Sequence, residues 1–144
     1  MMKIDFYKPI KGEYLDISEA SDDVFSQKLL GPGFLVNPCD QQIFSPIHGK
    51  IKMIYPTHHA LAISNNDYDI LIHVGLSDML RDQSLFDLHV AIGDEVNIGD
   101  LLLTLNINFN DYNLIDYQTP IIFVQKKHIE VLKETKDNFE LILY

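Results

Sequence analysis

The chain has 144 residues, which predicts one domain, spanning residues 1–144, with its own hydrophobic core. Its 21 acidic residues exceed the 11 basic ones and give a formal net charge of −10, so binding to nucleic acid or to an anionic membrane surface is not expected. Cys39 is the only cysteine, which excludes an internal disulfide, and the lack of a signal peptide or long apolar segment predicts a cytoplasmic protein without membrane insertion.

Short apolar runs recur roughly every eight to twelve residues along the chain, separated by Gly, Pro, Asn or Asp. In chain order they cover residues 6–10, 14–17, 34–36, 42–45, 51–55, 60–64, 69–74, 101–106, 121–124 and 139–143. Regular short strands with this punctuation favour an antiparallel all-β sandwich or barrel. Helix is predicted only as short turns, at residues 22–30, 77–82 and 127–134.

Residues 57–75 predict a β-hairpin that carries two histidines. Two strand-like runs flank a turn at residues 65–67, where Asn and Asp tolerate turn conformations. A hairpin centred on Asn66 places His59 directly opposite His73. Directly paired residues share a face of the sheet, with Cβ atoms about 4.5–5.5 Å apart. We therefore expect the two imidazole rings to meet at one site.

The residues alone leave three interpretations of this histidine pair open. A neutral imidazole is a good nucleophile near neutral pH and can carry a labile phosphoryl group, while a second ring donates a hydrogen bond to the phosphoryl oxygens. The spacing alone also fits, and indeed favours, an incidental pair on a strand surface that has no chemical role. A metal site is the third interpretation, although a closed zinc site has four ligands and a catalytic one usually three.

Six motifs around the hairpin follow one another in a distinctive order. They are Val24-Phe-Ser-Gln-Lys-Leu-Leu-Gly-Pro-Gly33, Gln42-Ile-Phe-Ser-Pro-Ile-His-Gly49, Thr57-His-His-Ala60, Ile70-Leu-Ile-His-Val-Gly75, Ile92-Gly-Asp-Glu-Val-Asn-Ile-Gly-Asp-Leu101 and Thr119-Pro120. Together they resemble the glucose-type IIA domain of the bacterial phosphotransferase system, over roughly residues 6–144. The resemblance implies an antiparallel β-sandwich of the barrel-sandwich hybrid type with short helical turns.

The resemblance also implies a function and a site. A member of this family is a phosphocarrier and phosphotransferase component, which accepts phosphate from the carrier protein HPr and gives it to the IIB domain of a sugar permease. The phosphorylated histidine falls on His73, reacting through Nε2, and its partner histidine on His59. The threonine that orients the partner ring falls on Thr57, and the glycine whose carbonyl holds Nδ1 of the nucleophile falls on Gly75. No bound cofactor is implied, although His59 and His73 together offer two ligands to zinc.

The family's apolar docking surface can be carried over in the same way. It falls on Val24, Phe25, Leu29, Leu30, Tyr55 and Leu71. A small apolar patch also makes physical sense beside the histidines, because partners that exchange phosphate must exclude water, dock briefly and leave.

Two departures from the family pattern border the expected site. Ser77 stands where the family usually has aspartate, and residues 80–86 replace a glycine-rich segment. These changes leave open an alternative function, a regulatory binding module of the same fold with altered partners or lost transfer. Two other classes fit poorly: a biotinyl or lipoyl carrier needs a Met-Lys-Met-like hairpin, and a zinc peptidase on a related scaffold needs a His-x-His pair, and the chain has neither.

Overall fold

The computed structural model describes residues 1–144 and consists mainly of β-strands. The strands are β1 (Met2–Tyr7), β2 (Gly12–Asp16), β3 (Gly33–Pro38), β4 (Gln42–Phe44), β5 (Gly49–Ile54), β6 (Ala60–Ser64), β7 (Asp69–His73), β8 (Phe86–Leu88), β9 (Glu95–Val96), β10 (Leu101–Leu105), β11 (Thr119–Phe123), β12 (Ile129–Glu134) and β13 (Asn138–Leu143). The helices are α1 (Asp23–Ser26) and α2 (Leu114–Tyr117), with 3-10 turns at Ile17–Glu19, Gln83–Leu85 and Phe109–Asp111. None of the helices could span a membrane.

Three antiparallel sheets make up the molecule. Two have three strands, in the orders β1-β13-β12 and β4-β10-β8, and one has seven, in the order β2-β3-β11-β7-β6-β5-β9. Every strand pairing is antiparallel. The predicted all-β antiparallel fold is therefore confirmed, and β7, which carries His73, lies at the centre of the largest sheet.

The larger of two hydrophobic clusters lies between the sheets. Phe6 and Phe139 enter it from the first small sheet, Ile43 and Leu103 from the second, and Phe123 from the seven-stranded sheet. All five side chains are at most 3% exposed. Burying apolar side chains of this size contributes about 1.5–3 kcal/mol each, so this shared core holds the three sheets together.

The smaller cluster lies on the opposite face of the seven-stranded sheet. Side chains alternate along a strand, so Ile70 and Ile72 of β7 enter the larger core while Leu71 between them enters the smaller. On β11, Phe123 and Ile122 divide in the same way. The full set of the smaller cluster is Ile17, Ala20, Phe25, Leu35, Ala60, Leu71 and Ile122. Helix α1 thus covers the face of the sheet on which His73 stands.

Two of the three predicted helical turns are wrong, and the third is shorter than expected. Residues 127–134 form strand β12, because Ile129–Glu134 pairs with β13, a long-range partner that spacing cannot reveal. Residues 77–80 form a bend followed by a turn, and residues 81–82 are irregular. In the segment 22–30 only Asp23–Ser26 is helical, since the Asp22 side chain caps the Val24 N–H at 2.8 Å and Lys28, at φ 58°, ends the helical path.

Candidate functional site

The hairpin between β6 and β7 carries the two histidines in a register that differs by one residue from the prediction. Ala60, and not His59, pairs with His73, and Ser64 pairs with Asp69. The turn is longer than expected because the Asn65 side chain accepts hydrogen bonds from the N–H groups of Asp67 (2.8 Å) and Tyr68 (2.9 Å), which adds Tyr68 to the turn. The predicted direct pairing of the histidines is therefore wrong.

The imidazole rings nevertheless meet, by a different route. Strand β6 begins only at Ala60, and the preceding His58 adopts a φ of 63°, so the chain has left the strand conformation before His59. The His59 ring turns toward His73, with ring centroids 4.9 Å apart and planes at 87°. The structure thus brings the two predicted histidines together through a tight turn that directly precedes β6.

His59 is buried and held by its neighbours. It is 6% exposed, its Nδ1 is hydrogen-bonded to the Thr57 hydroxyl, and the Tyr55 ring lies edge-on at 5.3 Å. Burial, followed by the positive charges of Arg81 and His73, lowers the pKa of His59 from 6.5 to about 4. The contact predicted for Thr57 is present, and the ring is neutral at pH 7.

His73 is half-buried at the end of the central strand β7. The Phe25 ring of α1 packs on it at 5.1 Å. Burial and then the charge of Arg81 lower the pKa of His73 to about 4, against the opposing influence of the Gly75 carbonyl and of Asp22. Its Nδ1 is buried and makes no hydrogen bond of ordinary geometry, although the backbone of Gly75 and of His73 itself acts to raise the pKa of the ring.

Gly75 occupies a position that other residues fit poorly. Its φ is 89°, and a Cβ at this position would overlap the carbonyl oxygen of Asp116. The N–H groups of Gly75 and Leu76 donate to the carbonyls of Gln118 (2.9 Å) and Ile115 (2.9 Å), so the chain after His73 is tied to the segment around α2. Glycine is required here because two backbone segments approach each other closely.

The six predicted docking residues divide into a surface set and a supporting set. Val24, Leu29 and Leu30 are 44%, 68% and 38% exposed. Phe25 and Leu71 are buried in the smaller cluster, at 6% and 7% exposure. Tyr55 is half-buried, packs against the same cluster and lies 6.4 Å from His73. Only the first set presents substantial apolar area to a partner, and we call Val24, Leu29 and Leu30 the apolar rim.

Three residues on or against the segment that follows His73, namely Arg81, Ser77 and Asp116, are not among the predicted site residues. Arg81 donates from Nη1 to the Val74 carbonyl at 2.9 Å and from Nη2 to the Gly75 carbonyl at 3.2 Å. Ser77 donates to the buried carboxylate of Asp116 at 2.6 Å. The one sequence signal for Arg81 is that it is the only arginine in the chain and follows His73 closely.

The chemistry available at this site is limited to the imidazoles and their neighbours. No group of three or more His, Cys, Asp or Glu side chains is placed to hold a metal ion. A pair of neutral imidazoles beside an apolar surface, with no acid of its own in contact, suits the acceptance and release of a group carried by other proteins. The class that the fold and site define is a phosphocarrier.

Comparisons with known proteins agree with this class. Residues 4–129 match the family described as phosphoenolpyruvate-dependent sugar phosphotransferase system, EIIA 1. The glucose-specific EIIA component of Staphylococcus aureus (strain Mu50) is 39% identical over 120 residues, covering 83% of this chain and 72% of that protein. The same component of Staphylococcus epidermidis (strain ATCC 12228) is 35% identical over 128 residues, covering 88% of this chain and 77% of that protein.

A solved structure shows the same fold. Glucose permease IIA from Mycoplasma capricolum superposes with a TM-score of 0.84 at 29% identity, covering 98% of this chain and 96% of that chain. The chain therefore belongs to the EIIA 1 family of the phosphoenolpyruvate-dependent sugar phosphotransferase system, and it is a phosphocarrier component in sugar uptake.

Proposed function

We propose that His73 accepts a phosphoryl group on Nε2 from the phosphohistidine of HPr and passes it to the IIB domain of a sugar permease, with glucose as the sugar class suggested by its relatives. The observation that carries the proposal is the pair of neutral rings, His73 and His59, 4.9 Å apart at the end of the central strand.

The transfer step balances without a separate base. The Nε2 lone pair of His73 attacks phosphorus, the phosphorus–nitrogen bond to the HPr ring breaks, and that ring leaves as neutral imidazole. Each ring keeps the proton on its other nitrogen throughout. A pKa of about 4 supports this role, because nearly all of His73 is neutral and nucleophilic at pH 7.

His59 is proposed to stabilise the phosphoryl oxygens. When the Thr57 hydroxyl donates to Nδ1 of His59, the ring proton resides on Nε2, the nitrogen free to donate to an incoming phosphoryl group. Phosphoryl transfer depends mainly on positioning and charge stabilisation. The useful contribution of a second histidine is therefore a hydrogen-bond donor to the phosphoryl oxygens. Thr57 would therefore select the useful tautomer.

Gly75 is proposed to fix the other end of the nucleophile. Its carbonyl lies close enough to His73 to oppose the lowering of the ring's pKa, which supports a role as acceptor of the Nδ1 proton. A proton held at Nδ1 leaves the lone pair on Nε2. A hydrogen bond from Nδ1 of His73 to this carbonyl, together with the Thr57 contact, would give the two rings opposite tautomers, one suited to attack and one to donation.

Partner docking is proposed for the apolar rim, supported from beneath by Phe25 and Leu71 and flanked by Tyr55. Asp22, the N-cap of α1, and Asp23, its first residue, lie beside the rim, so the rim suits a partner with an apolar patch next to basic residues. Both HPr and the IIB domain would use this surface in turn.

Labelling tests the proposed nucleophile. The chain is incubated with phosphoenolpyruvate, enzyme I and HPr, and acid-labile phosphate is measured. His73→Gln should abolish labelling, and labelling that persists in this variant would refute the assignment. His59→Gln should still be labelled but pass phosphate to a IIB domain slowly, and unchanged onward transfer would contradict its role. No labelling of the wild-type chain would favour the regulatory binding module.

Kinetics test the proposed docking surface. Leu29→Ser should raise the KM for phospho-HPr and leave the free energy of unfolding nearly unchanged, because Leu29 is 68% exposed. Leu132→Ser is the matched control, since Leu132 is 45% exposed on β12 and lies outside the smaller cluster. Equal KM values for the two variants would contradict docking at the rim.

A further inference from the structure

Arg81 lies against the backbone that follows His73. Its guanidinium donates to the carbonyls of Val74 (2.9 Å) and Gly75 (3.2 Å), the two residues after the proposed nucleophile. The N–H groups of Gly75 and Leu76 are bound from the other side by carbonyls near α2. The Gly75 carbonyl is therefore held between two sets of hydrogen bonds, of which Arg81 supplies the only side-chain donors.

Arg81 makes no salt bridge, and Asp78 is the acid whose charge acts on it from a distance, opposing the lowering of the Arg81 pKa by burial. The salt bridges of the structure are all made by lysines, so no carboxylate oxygen lies within 4.0 Å of the guanidinium. Its hydrogen bonds to Val74 and Gly75 use two of the five guanidinium donors. Arginine keeps its charge under all ordinary conditions, and a half-buried unpaired charge is costly unless something nearby uses it.

Besides Asp78, the charged or titratable groups on which Arg81 acts include the two histidines of the site. The positive charge of Arg81 lowers the pKa of both His73 and His59, in keeping with its position on the two carbonyls that directly follow His73. Phosphorylation of neutral His73 through Nε2 adds a net negative charge at the same place, because the phosphoryl group carries about two negative charges against one positive charge on the ring.

We propose that Arg81 is a positioning residue that also favours the phosphorylated state: it holds the Gly75 carbonyl in place for Nδ1 of His73, and its unpaired positive charge stabilises the phosphoryl group on Nε2. The proposal rests on His73 being the phosphorylated residue. The proposed site then consists of the two histidines and Arg81 of the same chain. Because Arg81 lies in the altered segment 80–86, that segment takes part in the reaction.

A purely structural role for Arg81 is the competing explanation. In that case its hydrogen bonds only tie the segment after β7 to the end of the strand, and replacing it would lower stability without changing the titration of the histidines or the transfer equilibrium. The two explanations therefore differ in measurements made on folded protein.

The test compares Arg81→Gln with Arg81→Lys and with Lys136→Gln. The last variant removes one positive charge from an exposed residue in the turn between β12 and β13 and serves as the control. Imidazole proton resonances of the unphosphorylated proteins are followed against pH. Arg81→Gln should raise the pKa of both His59 and His73. Arg81→Lys should keep both pKa values close to those of the wild type, and Lys136→Gln should leave them unchanged.

The same proteins are then equilibrated with phospho-HPr of Staphylococcus aureus. Arg81→Gln should shift the equilibrium toward phospho-HPr by about tenfold, and added salt should shift the wild-type equilibrium in the same direction. Arg81→Lys should have a phosphoryl-transfer equilibrium constant close to that of the wild type but a lower transfer rate. An ammonium group retains the positive charge but does not reproduce the paired hydrogen bonds of the guanidinium to the Val74 and Gly75 carbonyls. If Arg81→Gln does not fold, Arg81→Met, which keeps the apolar stem, replaces it.

Unchanged histidine titration and an unchanged equilibrium in a folded Arg81→Gln protein would overturn the inference and leave a structural role. A wild-type chain that HPr does not label would instead refute the proposed nucleophile, and with it the phosphoryl-stabilising part of the role. Because the titrations use unphosphorylated protein, the two failures are distinguishable.

Discussion

The titration of the histidine pair should make the protein less stable in mild acid. In the folded chain both His59 and His73 have pKa values of about 4, against 6.5 for an ordinary histidine. Between these values the unfolded chain binds protons that the folded chain does not, so acidification favours unfolding. Above about pH 6.5 neither state is protonated and the effect vanishes.

The magnitude follows from the size of the shifts. At pH 5, 1.5 units below the ordinary pKa, each histidine that stays neutral in the folded state costs about 2 kcal/mol, since one unit corresponds to 1.36 kcal/mol. The pair should therefore lower the free energy of unfolding by up to about 4 kcal/mol between pH 7.5 and pH 5, and by about 3 kcal/mol when solvent screening halves the share of the half-buried His73.

Urea unfolding at a series of pH values between 7.5 and 5 measures this effect. His73→Gln should remove about half of the pH dependence and the His59→Gln/His73→Gln double variant nearly all of it, by the same linkage. His128→Gln, which removes an exposed histidine outside the pair, is the control and should keep the wild-type slope. A double variant with the wild-type slope would refute the argument that burial keeps these rings neutral.

Three further substitutions probe the parts of the site separately. Gly75→Ala should lower the free energy of unfolding by about 2–4 kcal/mol in urea, because alanine is strained at φ 89° and its Cβ overlaps backbone, and a loss below 1 kcal/mol would contradict that geometry. Thr57→Val should leave labelling of His73 intact but slow onward transfer by about tenfold in single-turnover assays, since Nδ1 of His59 loses its hydrogen-bond partner. Onward transfer at the wild-type rate would contradict the role of Thr57 in selecting the His59 tautomer. Phe25→Ala should cost about 3 kcal/mol and raise the pKa of His73 as water reaches the ring, and an NMR titration identical to wild type would show that Phe25 does not shield it.

Much of the fold could be predicted from local pattern, because glycine, proline and asparagine punctuate strands whose side chains alternate. The run 60–64 coincides with β6, and the runs at 69–74 and 101–106 match β7 and β10 within a residue. Strands of two or three residues such as β8 and β9 show no alternation and were missed. The prediction of a helical turn at residues 127–134 is wrong for another reason. The apolar spacing of this segment fits a helix, but its pairing with β13 makes it a strand.

The site was predicted in part for equally physical reasons. The turn residues located the hairpin and so brought His59 and His73 near each other, but the number of residues in the turn depends on side-chain hydrogen bonds of Asn65 that composition does not reveal. The contribution of Arg81 depends on how the chain folds back after β7, which places a guanidinium on two backbone carbonyls. No local pattern encodes that contact.

The position of β7 at the centre of the seven-stranded sheet has a consequence for the order of events in sugar uptake. Strand β7 pairs with β6 up to His73 and with β11 up to Ile72, so the sheet holds His73 in place and the proposed partners come to it. For the proposed transfer, the donor HPr and the acceptor IIB domain then compete for one docking site and cannot be bound at the same time. In the proposed transfer, HPr must therefore dissociate before the IIB domain can bind at the same site.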